Sequence, residues 1–128
     1  MPGSFTGTVS GSGSGVDVAN YSLQFVGAPY SWGGNTPAGW DCSGFVQYVY
    51  SHFGVSLPRT SGAQAGVGVA VASLAEAQPG DIIANGMHAA IYIGNGMVMN
   101  AMNYGLGTKT APVSYAFSGS YSIRRVLS

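Results

Sequence analysis

The chain has 128 residues, enough for one domain with a modest core, and its 46% apolar content argues against general disorder. Charged residues make up only 6%, four basic against four acidic, where about 25% is usual. Arg59, Lys109, Arg124 and Arg125 cannot assemble a basic patch, so no nucleic-acid footprint is expected, and no apolar run reaches the length of a membrane span.

Residues 1–15, MPGSFTGTVSGSGSG, have the composition of a flexible linker or leader, and one folded domain is expected over 16–128. There is no basic n-region and no apolar h-region, so no signal peptide is visible in this chain. Asp17 is placed to cap a helix that runs through Val26, with Val18, Tyr21, Phe25 and Val26 at helical spacing and Gly27 as the stop. APYSWGGNTPAGW reads as a loop. A second helix is predicted from Cys42 to Phe53, with Phe45, Val46, Val49 and Phe53 as its buried stripe. A short third helix is expected from Thr60 or Ser61 to about Gly66. The periodicity then changes. Ile82–Ile83, two strands around Gly94-Asn95-Gly96, Val113–Tyr115 and Tyr121–Val126 read as strands. Helices first and strands second predict an α+β domain with an antiparallel sheet.

Cys42 is the only cysteine, so no internal disulfide can form. A lone thiol is commonly a core residue, but this one opens a helix. The unpaired N–H groups and positive dipole end there favour thiolate, while the adjacent Asp41 opposes it. A base is therefore needed. His52 lies ten residues further along the same helix, about 15 Å away at 1.5 Å per residue, and is read as a histidine of the last turn. His88, at the entrance of an apolar strand, is the remaining candidate.

A neutral imidazole needs a third group to fix its tautomer. A strict two-residue turn at Asn95-Gly96 would put the isoleucines and methionines of the hairpin on opposite faces. A three-residue Gly94-Asn95-Gly96 loop, or a bulge of the same parity, pairs Ile93 with Met97 and Ile91 with Met99 and gathers all four on one buried face. The same parity puts His88 and Asn100 on a common face as diagonal neighbours, where Asn100 could accept from the ring. The other reading of Asn100 is an exposed strand residue.

PYSWGG, DCSGFVQYVY, LPRTSGAQ, QPGDII and HAAIYIGNG, in that order, resemble the NlpC/P60 cysteine peptidases from about residue 17 to 126. The resemblance implies a papain-like fold, a nucleophile at a helix N-terminus packed on an antiparallel sheet, and hydrolysis of bacterial peptidoglycan stem peptides between D-γ-glutamate and the diamino acid. It assigns Cys42 as nucleophile, His88 as base and Asn100 as third member. Tyr30 is matched to the oxyanion site, or else is a packed loop aromatic. Asp41 and Ser43 match positions that hold substrate amine or backbone, and Asp41 also reads as a helix cap. Arg59 either binds a substrate carboxylate or pins a loop. Trp32 and Trp40 either line the groove or pack.

The resemblance also implies an extracellular, cell-wall or phage-borne site of action and a monomeric domain within a larger protein. No metal and no cofactor are expected, because one Cys and two His make a poor zinc set. The third position is often His in the family and is Asn here, HAAIY replaces HVGIY, and the low charge is unusual for a wall enzyme. A Cys–His pair alone does not separate a peptidase from an amidase or acyltransferase, and a silent wall-binding or structural module is the reading from a different class.

Overall fold

The computed structural model describes residues 13–127, with helices preceding a six-stranded antiparallel sheet. Most of the segment read as a linker, residues 1–12, lies outside the described residues. Helix α1 spans Ser14–Leu23, so Ser14 and Gly15 are already helical. Its N-cap is Gly13, and Asp17 sits in the first turn instead of capping it. The early start has a packing reason. A side chain on Gly15 would run into the carbonyl oxygen of Pro79, so this glycine lets the helix seat against the 79–80 turn. The helix also ends three residues before Val26; residues 24–27 form turns closed by backbone bonds such as Phe25 N–H to Ser22 O.

The loop that follows contains a small ribbon, β1 (Asn35–Thr36) with β2 (Gly39–Trp40). It leads into α2, Cys42–Ser51. Helix α3, Ser61–Gln64, is capped by Thr60, whose side chain accepts from Ala63 N–H. The sheet comprises β3 (Val69–Ala70), β4 (Ile82–Ala84), β5 (Ala89–Gly94), β6 (Met97–Ala101), β7 (Thr108–Pro112) and β8 (Ser122–Arg125), in the order β3-β8-β4-β5-β6-β7.

Both faces of the sheet are covered. Val18, Phe45, Val46 and Val49 of α1 and α2 pack on Ile82, Ile91, Ile93, Met97 and Met99. The opposite face carries Ile83, Ala90, Tyr92, Val98 and Ile123, closed over by Val113 and Phe117. The predicted strand at Val113–Tyr115 is instead helix α4, Val113–Ala116. Val113 and Phe117, four residues apart, point into one cluster, and the Phe117 N–H bond to the Val113 carbonyl at 3.0 Å makes the turn between them helical. The strand in this region is β7, whose sequence TKTAP carries too little apolar signal to be read as one.

The β5–β6 hairpin solves its parity with a bulge. Gly94 pairs with Met97 across a two-residue turn in which Asn95 (φ 54°) and Gly96 (φ 73°) are left-handed. A register shift between Tyr92 and Gly94 then leaves Ile93 extra, so Met97 faces Gly94 and not Ile93 as a three-residue loop would have it; Ile91 faces Met99, and all four apolar side chains reach the helix-covered core.

Candidate active site

Asp41 builds the start of α2. Its backbone is extended, and its Oδ1 accepts the Gly44 N–H at 2.9 Å, an N-cap bond. Its Oδ2 accepts the Gly33 N–H at 3.0 Å and so ties the preceding loop to the helix. Gly44 is required at this point, since a Cβ there would overlap the carbonyl oxygen of Gly34. DCSG and WGGN are thus two halves of one backbone contact.

Arg59 completes the clasp. It donates to both oxygens of Asp41 (3.0 and 3.1 Å), to Ser43 Oγ (2.8 Å) and to the Gly34 carbonyl (3.0 Å). Of the two readings of Arg59, pinning a loop is the one its bonds display. Ser43 is buried within the same set and donates weakly to Asp41 Oδ1 at 3.4 Å. Burial pulls the Asp41 carboxyl upward, but the bonds from Arg59, Gly44 and Gly33 outweigh it and hold the group below its ordinary value. Gln64 adds a further tie, donating to the carbonyls of Ser43 (3.0 Å) and Pro58 (2.9 Å).

Cys42 is half-buried at the first position of α2. Burial pushes its thiol up, and Asp41 adds to this; the backbone N–H groups of Ala89, Ser43 and Cys42 pull the other way and do not prevail. The helix start favours thiolate, and desolvation together with Asp41 works against it, with desolvation the larger of the two. The pull of the Ala89 N–H places the thiol within electrostatic reach of the head of β5, immediately after His88.

His88 Nε2 lies 2.7 Å from Asn100 Oδ1. Asn100 is fully buried, and its Nδ2 donates to the Lys109 carbonyl at 2.9 Å. A carbonyl only accepts, so the amide is oriented with Oδ1 toward the imidazole. The shared proton then belongs to Nε2, and Nδ1 keeps a lone pair. Burial lowers the His88 pKa, and the Asn100 bond offsets this in part. Phe117 packs against it with ring centroids 5.1 Å apart. His52 takes no part. It caps the end of α2 and stacks on Tyr21 at 3.9 Å and 11°.

Tyr30 bridges to Trp40 and touches Tyr104 edge-on at 4.9 Å. Burial, then the charges of Cys42, Asp41 and Tyr104, raise its pKa, so it remains an O–H donor within electrostatic reach of the thiol. Trp40 is fully buried and donates from Nε1 to Thr108 Oγ1 at 2.7 Å, so it packs and does not line a groove. Trp32 is 77% exposed at the rim, and its backbone N–H donates to the Tyr104 hydroxyl at 2.9 Å. Tyr104 and Phe117 escaped the sequence reading. Both lie in stretches without motif or periodicity, and only the fold brings them to Tyr30 and His88. Among the described residues no group of three or more His, Cys, Asp or Glu could hold a metal, and no helix is long and apolar enough to cross a membrane.

A lone thiol at a helix start, laid against an antiparallel sheet whose adjoining strands carry a His–Asn pair, defines an α+β domain of papain-like layout. Residues 27–125 match the NlpC/P60 family, and the chain belongs to that family. It is 40% identical over 120 residues to a probable endopeptidase of Mycobacterium tuberculosis, covering 88% of this chain and 31% of that protein. It is 48% identical over 88 residues to the probable endopeptidase p60 of Listeria seeligeri, covering 65% of this chain and 17% of that one. Among solved structures, NlpC1 from Trichomonas vaginalis superposes with a TM-score of 0.83 at 28% identity, over 94% of this chain and 47% of that one. The peptidoglycan hydrolase RipB from Mycobacterium tuberculosis superposes with a TM-score of 0.71 at 32% identity, over 86% and 65%. The chain thus spans about a third or less of the length of these curated relatives.

Proposed function

We propose that this domain is a cysteine endopeptidase that hydrolyses peptidoglycan stem peptides. The observation that carries the reading is the His88–Asn100–Lys109 arrangement, which leaves Nδ1 of a neutral imidazole as a free acceptor. Cys42 transfers its proton to Nδ1 as the sulfur attacks the peptide carbonyl. The oxyanion is held by N–H groups at the start of α2 and by the Tyr30 hydroxyl. The protonated His88 then gives its proton to the departing amine. Water, deprotonated by the same ring, cleaves the thioester to carboxylic acid and free thiol.

Burial that raises Cys42 and lowers His88 suits this order, because each proton then moves only as charge develops on the substrate. The relatives' names point to the same chemistry, and the substrate bond is taken to be the D-γ-glutamyl–diamino acid bond of the stem. Action is at the cell wall, by a secreted or phage-borne protein of which this is the catalytic domain. Incubation with purified muropeptides, followed by mass measurement of the products, tests the reading. Hydrolysis at that bond, lost in Cys42→Ala, is the expected result. Transfer products or amide release without cleavage would assign another reaction on the same frame, and unchanged muropeptides would refute an enzymatic role.

A further inference from the structure

The chain has four Lys and Arg residues in all. Three are spent inside the fold. Arg59 is bound by Asp41, Ser43 and Gly34; Arg124 by the carbonyls of Gly66, Val67 and Gly68; Arg125 by Asp81 and the Glu76 carbonyl. Lys109 is exposed and, among the described residues, is the one Lys or Arg whose side chain has no hydrogen-bond or ion-pair partner. Its position is specific. In the β6–β7 register Lys109 stands directly opposite Asn100, so the two side chains share a sheet face, and Asn100 holds the ring of His88.

Beside His88 lies an open cleft of about 310 Å³, lined by Met87, Met102, Asn103, Tyr115 and Phe117 among others. No Asp, Glu, Lys or Arg lines it. Its size suits one amino-acid residue, at the low end of small-ligand sites. In the mechanism above His88 protonates the departing amine, so the leaving part of the substrate must sit on the side of this ring. A neutral cleft with a single flexible cation one strand away is suited to a residue that carries an anion.

We propose that the cleft beside His88 receives the residue on the leaving side of the scissile bond, and that Lys109 binds a carboxylate of that residue. The proposal rests on the peptidase reading. The carboxylate has two sources, the side chain of a diamino diacid or the main-chain terminus of a short stem.

The test uses the whole chain and three synthetic stem peptides: one with both carboxylates free, one with the side-chain carboxylate amidated, one with the terminal carboxylate amidated. The wild-type protein is expected to prefer the free diacid by about five-fold in kcat/KM over one of the amides, the size of an exposed ion pair. The amide that loses the preference names the source. In Lys109→Met the acid-to-amide ratio falls to about one through KM and not kcat, and Lys109→Arg restores most of it. Equal rates on all three peptides, or a preference that survives Lys109→Met, overturn the proposal while leaving the peptidase reading intact. Failure of the wild type to cleave any of the three overturns both.

Discussion

The amide of Asn100 is gripped from both ends: Oδ1 faces His88 Nε2 at 2.7 Å, and Nδ2 donates to the Lys109 carbonyl at 2.9 Å. An amide so held cannot flip, so the imidazole has one tautomer and one orientation. Asn100→Ala is expected to lower kcat by about 10- to 100-fold, part of the 10²–10⁴ that positioned acid–base catalysis supplies. Asn100→His should retain more activity than Ala. Steady-state kinetics on a muropeptide checks both, and full activity in the Ala variant would remove Asn100 from the site.

Cys42→Ala and His88→Ala should each abolish turnover, because two groups that act as a unit fail together. His52→Ala should leave kcat/KM at the wild-type value. It should lower stability by about 0.5–1.5 kcal/mol through loss of the stack on Tyr21, read as a fall in Tm.

The pH dependence follows from the two shifts. His88 is lowered from 6.5 by burial, so the ring loses its proton below that pH and the acid limb of kcat/KM should lie below 6.5. Cys42 is raised above 9.0 by burial, so alkylation by iodoacetamide should keep climbing through neutral pH and past 9.0. A flat alkylation rate from acid pH upward would mean a preformed thiolate–imidazolium pair and would contradict the neutral resting state.

Removing Arg59 should be costly for stability. Arg59→Met leaves Asp41 unpaired at 9% side-chain exposure, whereas Arg59 itself is 34% exposed. The penalty is therefore set between that of a buried and that of a surface pair, about 1–2 kcal/mol, or roughly 4–8 °C in Tm. The folded pKa of Asp41 is depressed, so its stabilisation is complete above the ordinary value of 3.8 and is lost as pH falls through the lower folded value. The difference in stability between wild type and Arg59→Met should therefore shrink below pH 3.8. Denaturant melts across this range measure it, and a pH-independent difference would show that Arg59 acts through packing alone.

By itself the sequence determined what depends on local pattern. The stripe of Phe45, Val46 and Val49 set helix α2 with Cys42 at its head, and alternation in the β5–β6 hairpin required a parity that brings Asn100 to the face of His88. These are short-range constraints: a helix face repeats within four residues, and strand parity cannot slip without exposing Ile91 and Met99. Tertiary structure decided the rest. Whether Arg59 holds a loop or a ligand depends on Asp41, eighteen positions away, and on the carbonyl of Gly34. The upward push on the Cys42 thiol comes first from the water the packed site excludes, which no helix dipole argument contains. Strand β7 carries little apolar signal and α4 is too short to show a period; they take their conformations from the sheet edge they complete and the face they cover. Tyr104 and Phe117 belong to no motif. They stand at the site only because the chain after β6 brings Tyr104 to Tyr30 and the segment after β7 lays Phe117 on His88.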